Sequence, residues 1–204
     1  MVQIKVDIAA RKNYGNRRKT KDIKYLVIHY TGNDGDSAKG NANYFKTHIV
    51  EASAHYFVDD NGIIQSVPDD FAAYSVGGKK YPSCGKTGGG RFYGKCTNEN
   101  SINVELCDTR KNGKFDFSEE TLDNAADLCR VLLKKYNISV DNIIRHFDVT
   151  GKNCPAPFVS DGKAWEAFQE RIVDEVKYYE EKKDELTAIY APKEEQTSSN
   201  TPSA

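Results

Sequence analysis

The chain has 204 residues, of which 38% are hydrophobic and 29% are charged, a composition that fits one globular domain of ordinary size with a tail. Its formal net charge of −1 gives no reason to expect nucleic-acid binding by bulk attraction. No apolar run approaches the roughly 18–20 residues that span a bilayer, so we expect no membrane-spanning segment. The N-terminus has no apolar stretch of the signal-peptide type, and we therefore expect synthesis in the cytoplasm without a signal peptide.

The beginning of the chain predicts a strand and a helix after an irregular start. Residues 1–22 are interpreted as a basic, loosely structured N-terminal lead-in. Residues 23–30 are largely apolar and predict a central strand. Asp36 and Ser37 are candidate caps for a helix that ends near His48.

A hairpin and a further strand are predicted next. Residues 55–59 and 63–67 flank Asp60-Asn61-Gly62, which is a strong signal for a tight turn between two strands. Residues 101–107 alternate in the manner of a strand with one buried face. The alternation sets Ile102, Val104 and Leu106 against Asn103, Glu105 and Cys107.

The last third of the chain is predicted to be mainly helical. Ser118 is a candidate N-cap of a long amphipathic helix. Its apolar face consists of Leu122, Ala125, Ala126, Cys129, Leu132, Leu133 and Tyr136. Another helix is expected from about Asp161, with Trp165, Phe168, Ile172, Val173 and Val176 on its apolar side. We expect residues 178–204 to be a charged helix end and a solvated linker or tail, which leaves residues 23–177 as the globular domain. Strands interleaved with helices predict an α/β fold with a central mixed β-sheet flanked by helices.

One segment is unusually rich in glycine. Residues 77–95 hold seven of the fifteen glycines, together with five lysines and arginines. The segment lacks the spacing of a phosphate-binding loop. It is either a mobile surface loop or a flexible wall of a binding groove, which Tyr81, Phe92 and Tyr93 would line.

Two histidines and a cysteine form a candidate metal site. His29 ends the apolar run KYLVIH, and His146 and Cys154 lie close together in IIRHFDVTGKNCP. Imidazole nitrogens and a thiolate are zinc ligands, and three of them leave one coordination position open for chemistry. The alternative is that the histidines are separate strand-end residues and that Cys154 is a buried apolar thiol.

Four segments occur in order along the chain: VIHYTGN, SAHYFVDDNGIIQ, NSINVELCD and RHFDVTGKNCP. Together they resemble the type-2 zinc N-acetylmuramoyl-L-alanine amidases, which include phage and prophage endolysins and peptidoglycan recognition proteins. The resemblance covers roughly residues 20–175. It implies the fold of that family and a Zn²⁺ cofactor bound by His29, His146 and Cys154. It also implies hydrolysis of the amide between N-acetylmuramic acid and L-alanine in bacterial peptidoglycan.

The resemblance further implies two catalytic residues, with Glu105 as the acid/base and Lys152 as the stabiliser of the transition state. Some members carry a tyrosine before the histidine of the hairpin strand, but here that position is Ala54, which puts more weight on Glu105. His55 is expected to be a structural residue or a substrate-binding residue of the groove.

Several alternatives remain open at this point. A non-catalytic peptidoglycan-binding module is one, although the presence of Cys154 favours an enzyme. A cysteine hydrolase using Cys154 or Cys107 is another, and a zinc peptidase is disfavoured because the chain has no HExxH motif. Cys84 and Cys96 flank the glycine-rich segment and are either paired or free. Without a signal peptide, action on the cell wall would require release through a holin or by lysis, and a longer parent protein could carry a C-terminal wall-binding module.

Overall fold

The computed structural model describes residues 3–181, with side chains to residue 173. The secondary structure alternates between strands and helices, as the sequence predicts. In chain order the elements are β1 (Ile4–Val6), β2 (Tyr14–Arg17), β3 (Tyr25–Asp34), α1 (Ala38–Thr47), β4 (Tyr56–Asp59), β5 (Gly62–Gln65), β6 (Phe71–Ala73), α2 (Cys84–Thr87), β7 (Ser101–Lys111), β8 (Lys114–Asp116), α3 (Glu119–Tyr136), β9 (Ile143–Arg145), α4 (His146–Thr150), α5 (Ala156–Ser160) and α6 (Gly162–Glu181).

A mixed sheet forms the centre of the described part of the chain. Its strand order is β1-β5-β4-β7-β3-β9, with β8 paired to the far end of β7, while β2 and β6 form a separate pair. β3 lies between β7 and β9 and is parallel to both, and β4 and β5 form the predicted antiparallel hairpin. In this register His29 lies opposite Glu105, and Ile28 lies opposite Arg145, the residue before His146. The α/β class with a central mixed sheet is therefore confirmed.

The two faces of the sheet carry different chemistry, because successive side chains of a strand point to opposite sides. Leu26 and Ile28 of β3 belong to the main hydrophobic core with residues of α3 and α6. Val27 and His29 point to the other face. On β7 the same alternation places Asn103 and Glu105 on the side of His29. The polar groups thus lie on the face opposite the long helices.

The two long helices of the main core begin and pack as predicted. The Ser118 hydroxyl accepts a hydrogen bond from the Thr121 amide at 3.0 Å and caps α3. That helix ends at Asn137 in the left-handed conformation (φ 52°), with the Ile138 amide donating to the Leu133 carbonyl oxygen. α6 contributes Trp165, Phe168 and Ile172 to the core, which confirms three positions of its predicted apolar side. Val176 and the predicted tail from residue 182 lie outside the residues whose side chains are described.

The N-terminal segment is an integral part of the fold, so the prediction of a loosely structured lead-in is wrong for residues 3–22. β1 pairs with β5 in parallel, and β2 pairs with β6. The buried guanidinium of Arg18 donates hydrogen bonds to the carbonyl oxygens of Asp69, Asn98 and Ser101. Asn13, which is completely buried, donates to the carbonyl oxygens of Phe45 and His48. These bonds tie the segment to three distant parts of the chain.

The glycine-rich segment packs against α4 and forms a wall beside it. Backbone hydrogen bonds of 2.8–3.0 Å run from the Tyr81, Gly90 and Phe92 amides to the carbonyl oxygens of α4. Two glycines permit this close approach. A Cβ atom at Gly89 would lie 2.9 Å from the Gly151 Cα atom, and one at Gly151 (φ +85°) would lie 2.3 Å from the Cys84 sulfur. Cys84 and Cys96 are buried in this region as free thiols and do not pair.

Candidate metal centre and active site

His29, His146 and Cys154 converge at one end of the sheet. The Nδ1 atoms of the two histidines are 3.1 Å apart, and the Cys154 sulfur is 3.8 Å from the Nδ1 atom of His29. All three side chains are buried, with exposed fractions of 5% or less. The potential ligand atoms all lie within 4.8 Å of one another. The sequence-predicted ligand set is therefore a spatial cluster, although the three residues come from a strand, a short helix and a loop.

Local structure explains how residues 146 and 154 meet. Arg145 and Asp148 form a bidentate ion pair with distances of 3.0 and 3.1 Å, and the Arg145 amide also donates to Asp148. This fixes the first turn of α4, which begins at His146. Gly151 ends the helix in the left-handed conformation, and the chain returns so that the Phe147 amide donates to the Cys154 carbonyl oxygen at 2.8 Å.

The cluster fits a tetrahedral zinc ion. Bonds of about 2.0–2.1 Å to nitrogen and about 2.3 Å to sulfur put tetrahedral ligand atoms about 3.3 Å (N to N) and about 3.5 Å (N to S) apart. The observed separations of 3.1 and 3.8 Å are close to these values. Two imidazoles and one thiolate are also the donor set of a zinc site with an open fourth position.

Burial controls the protonation of the three side chains. It lowers the pKa of His29 to about 4 and that of His146 to about 2, so both rings are neutral near pH 7 and keep a lone pair for a metal. Burial, together with the nearby charge of Glu105, raises the pKa of the Cys154 thiol to about 12. Such a thiol is a poor nucleophile by itself, but metal coordination would ionise it. These directions favour a metal site over a cysteine hydrolase.

Asn103 orients His29, and the sequence alone gave no indication of this role. The Oδ1 atom of Asn103 is 3.0 Å from Nε2 of His29 and accepts a hydrogen bond from it, which leaves the unprotonated Nδ1 atom, with its lone pair, facing His146. Asn103 in turn donates through Nδ2 to the Ser101 hydroxyl, which donates to the Thr97 carbonyl oxygen. Asn103 is completely buried. In the sequence, Asn103 alternates with the apolar residues of β7. This alternation is the only sequence signal that could have placed Asn103 on the face of the sheet that carries the candidate site.

Glu105 lies beside the cluster. Its Oε1 atom is 3.8 Å from Nδ1 of His29, and its side chain is 21% exposed. Its Oε2 atom is buried without a hydrogen-bond partner among the described residues. Burial raises the pKa of this carboxyl to about 8, and the positive charge of Lys152 opposes the shift. An unpartnered carboxyl group with a pKa near neutrality is suited to exchange protons with a reacting molecule.

A groove runs from the cluster across the glycine-rich segment. It is a cavity of about 480 Å³ that includes His146 and Lys152. Lys152 is exposed and interacts electrostatically with His29, Glu105 and Cys154. Tyr81, 47% exposed, forms part of the wall, which agrees with its expected place in a groove. The structure thus brings the metal ligands, Glu105, Lys152 and Tyr81 to one region.

Three other expected groove residues do not line this cavity. His55 is completely buried: its Nδ1 atom accepts a hydrogen bond from the Asn103 amide, and its Nε2 atom lies 3.1 Å from the Phe71 carbonyl oxygen. A substrate cannot reach it, so the expectation of a groove residue is wrong and the structural role holds. Phe92 packs edge-on against Tyr25 in a small core beneath the segment. Tyr93 is exposed but is not part of the cavity wall.

Comparison with known proteins gives the family. Residues 19–157, more than half of the chain, match the sequence profile of the N-acetylmuramoyl-L-alanine amidase family. A probable N-acetylmuramoyl-L-alanine amidase of Bacillus licheniformis is 38% identical over 156 residues, which are 74% of this chain and 41% of the relative. The amidase CwlL of the same organism is 36% identical over 161 residues, 76% of this chain and 42% of CwlL. The chain therefore spans about two fifths of the length of these curated relatives.

Solved structures agree with the sequence relatives. PlyL superposes with a TM-score of 0.65 at 29% identity, over 84% of this chain and 97% of PlyL. The catalytic domain of XlyA, which in Bacillus subtilis is named an N-acetylmuramoyl-L-alanine amidase, gives a TM-score of 0.64 at 27% identity, over 84% of this chain and 99% of that domain. With the buried histidine–cysteine cluster at the end of the shared sheet, these matches show that the chain belongs to the N-acetylmuramoyl-L-alanine amidase family.

Proposed function

We propose that this protein is a zinc-dependent N-acetylmuramoyl-L-alanine amidase of the endolysin or autolysin type, which cleaves the amide between N-acetylmuramic acid and L-alanine in bacterial peptidoglycan. The single observation that carries the proposal is the position of Glu105, whose carboxylate lies 3.8 Å from the Nδ1 atom of His29, beside the histidine–cysteine cluster from which the groove runs. A carboxyl group beside a three-ligand metal cluster is the combination that amide hydrolysis requires.

His29, His146 and Cys154 are the proposed ligands of the zinc ion. When bound, zinc would lower the pKa of a water molecule to about 7 and polarise the scissile carbonyl group. Asn103 holds the imidazole of His29 in the tautomer that presents Nδ1. The burial of all three ligands excludes competing bulk water from their side of the site.

Glu105 and Lys152 are the proposed catalytic residues. The Glu105 carboxylate accepts a proton from the attacking water and then returns a proton to the leaving amine of L-alanine, because amide cleavage requires both transfers. Lys152 is a cation at the mouth of the groove and donates to the oxygen that becomes negative as the carbonyl carbon turns tetrahedral. Acid/base catalysis of this kind increases the rate by a factor on the order of 10²–10⁴, and one hydrogen-bond donor to the oxyanion increases it by a factor on the order of 10²–10³.

The partner in this proposal is peptidoglycan, reached after release through a holin or by lysis. Residues 3–181 include no helix that is long and apolar enough to cross a bilayer. We also propose residues 23–177 as the catalytic unit, completed by the N-terminal strands that pack on it. A wall-binding module in a longer parent protein stays a prediction, because the segment that would carry it lies outside the described residues.

The test is to identify the bond that the protein breaks in purified peptidoglycan. We expect new N-terminal L-alanine and peptide-free glycan strands, with no increase in reducing sugar ends. Glu105→Gln is the matched control, which should bind zinc and wall material but release nothing. New reducing ends without free L-alanine would contradict the proposal. Wall binding by the wild type without any release would support the alternative of a non-catalytic binding module.

A further inference from the structure

The groove beside the metal centre carries an unbalanced positive charge. Its wall includes Lys79, Lys80 and Lys152, and no aspartate or glutamate. Within the part of the chain whose side chains are described, none of these three lysines takes part in an ion pair. This local charge is not a property of the whole protein, whose formal net charge is −1. The groove therefore concentrates positive charge where the substrate would lie.

The segment that carries Lys79 and Lys80 is attached to α4 next to the two lysines. The neighbouring Tyr81 amide donates to the Thr150 carbonyl oxygen at 2.8 Å, which fastens this part of the segment to α4. The aliphatic part of Lys80 lies directly against Gly90, since a Cβ atom there would be 2.6 Å from the Lys80 Cε atom. Packing of the stem limits the conformations of the Lys80 side chain and so reduces the entropy lost on binding.

Arg91 shows the contrast within the same segment. Its side chain is 66% exposed, but its guanidinium lies 3.4 Å from the buried carboxylate of Asp148, so its charge already has a partner in the protein. Lys86 and Lys95 are exposed but do not line the cavity. Only Lys79 and Lys80 among the five basic residues of the segment therefore offer their charge to the groove.

From this arrangement we infer that Lys79 and Lys80 form a carboxylate-binding subsite that recognises ionised carboxylates of the stem peptide. The inference rests on the proposed function. In the proposed substrate the lactyl carboxyl group is part of the scissile amide, and the N-acetylated sugars carry no charge. The ionised groups therefore lie on the peptide side, so a basic groove continuous with the metal centre is occupied by the peptide and not by the glycan.

The subsite predicts a preference that depends on charge. A soluble muramoyl tetrapeptide with free carboxylates would be compared with the same molecule whose carboxylates are primary amides. The wild type should cleave the carboxylate form with a kcat/KM higher by on the order of tenfold, as expected for two partly exposed charge pairs. Higher ionic strength should reduce this ratio, because it screens exposed charges.

The variant pair isolates the two lysines. K79Q/K80Q should reduce the preference below about twofold, mainly through a lower kcat/KM for the carboxylate form, because the removed attraction is electrostatic. The matched control is K86Q/K95Q, which removes the same charge from the same segment and should keep the full preference. Thermal melting of both variants checks that neither change disturbs the fold.

Three outcomes would overturn the inference. Equal cleavage of the two substrates by the wild type would remove the carboxylate subsite and leave the proposed function standing. An equal loss of preference in both double variants would show a diffuse field and no subsite. The third outcome concerns inhibition of cleavage by a glycerol phosphate polymer. If K79Q/K80Q relieved this inhibition and the wild type showed no carboxylate preference, the groove would be a site for a phosphate polymer. Failure of the wild type to cut either substrate at this amide would instead defeat the proposed function, and the subsite with it.

Discussion

Asn103→Ala is the most direct test of how the protein prepares its metal ligands. In the native site the amide oxygen of Asn103 lies 3.0 Å from Nε2 of His29, and both residues are buried. Alanine removes the acceptor that selects the tautomer and leaves a buried N–H group without a partner, at a cost of about 1–3 kcal/mol. Loss of such an outer hydrogen bond typically weakens metal binding by about 10–100-fold, or about 1.4–2.7 kcal/mol, and the two ranges agree.

The assay is competition for zinc with a fluorescent chelator, combined with activity at saturating zinc. Activity should largely recover when zinc is in excess, because Glu105 and Lys152 are unchanged. Asn103→Asp keeps an acceptor oxygen at the same place and should bind zinc within a few-fold of the wild type. If the alanine variant is folded and binds zinc within twofold of the wild type, the tautomer argument is refuted. Equally weak binding by both variants would mean that the amide acts only through packing.

Three other predictions concern the site and the boundaries of the fold. Glu105→Gln should retain one zinc ion per chain and a native circular dichroism spectrum but should lower kcat by a factor of about 10²–10⁴. Activity within a few-fold of the wild type would assign the proton transfers to another group. Cys154→Ser should abolish stoichiometric zinc binding by metal analysis, and EDTA should inhibit the wild type, whereas an EDTA-resistant enzyme would indicate a thiol mechanism. Deleting residues 1–22 should lower the melting temperature sharply or prevent folding, because each lost buried hydrogen bond costs about 1–3 kcal/mol. Deleting residues 182–204 should leave the melting temperature nearly unchanged. The reverse pattern would place the domain boundaries elsewhere.

The elements with strong periodicity could be predicted from the sequence. Helix α3 has a capping serine, an acidic first turn and an apolar side that repeats at helical spacing, and each feature favours the same structure. The Asp60-Asn61-Gly62 segment likewise predicts its hairpin: Asp60 and Asn61 form the turn, and Gly62, with a φ of 125°, begins β5 opposite Asp59. The candidate metal ligands could be chosen from the sequence because their chemistry and the four family segments agree, and their potential ligand atoms lie within 4.8 Å of one another in the structure.

The N-terminal strands could not be predicted by the same reasoning. β1 and β2 have three and four residues, too few for a periodic pattern. Their attachment depends on polar residues such as Asn13 and Arg18, which are buried because distant carbonyl oxygens accept their hydrogen bonds. Burial of this kind depends on partners far away in the sequence, so it leaves no local signal.

The roles of Asn103 and of the glycine-rich segment were hidden for a related reason. On an alternating strand the polar positions suggest a solvent-exposed face. Here, however, Asn103 is covered completely. The glycines suggested mobility, but at Gly89 and Gly151 they allow two backbones to pack closely. His55 was misplaced because a histidine in a family segment suggests function, whereas its ring joins backbone groups of β6 and β7.

The parallel arrangement of β3, β7 and β9 has a consequence for the order of folding. His29 and Cys154 are 125 positions apart, so the ligands cannot meet until both long crossovers around β3 are complete. A zinc ion would therefore bind only a chain whose topology is already correct. At a free zinc concentration about 100 times the Kd, this selective binding would stabilise the native state by about 2.7 kcal/mol. Metal loading would thus be a late step that distinguishes completely folded molecules from partly folded ones.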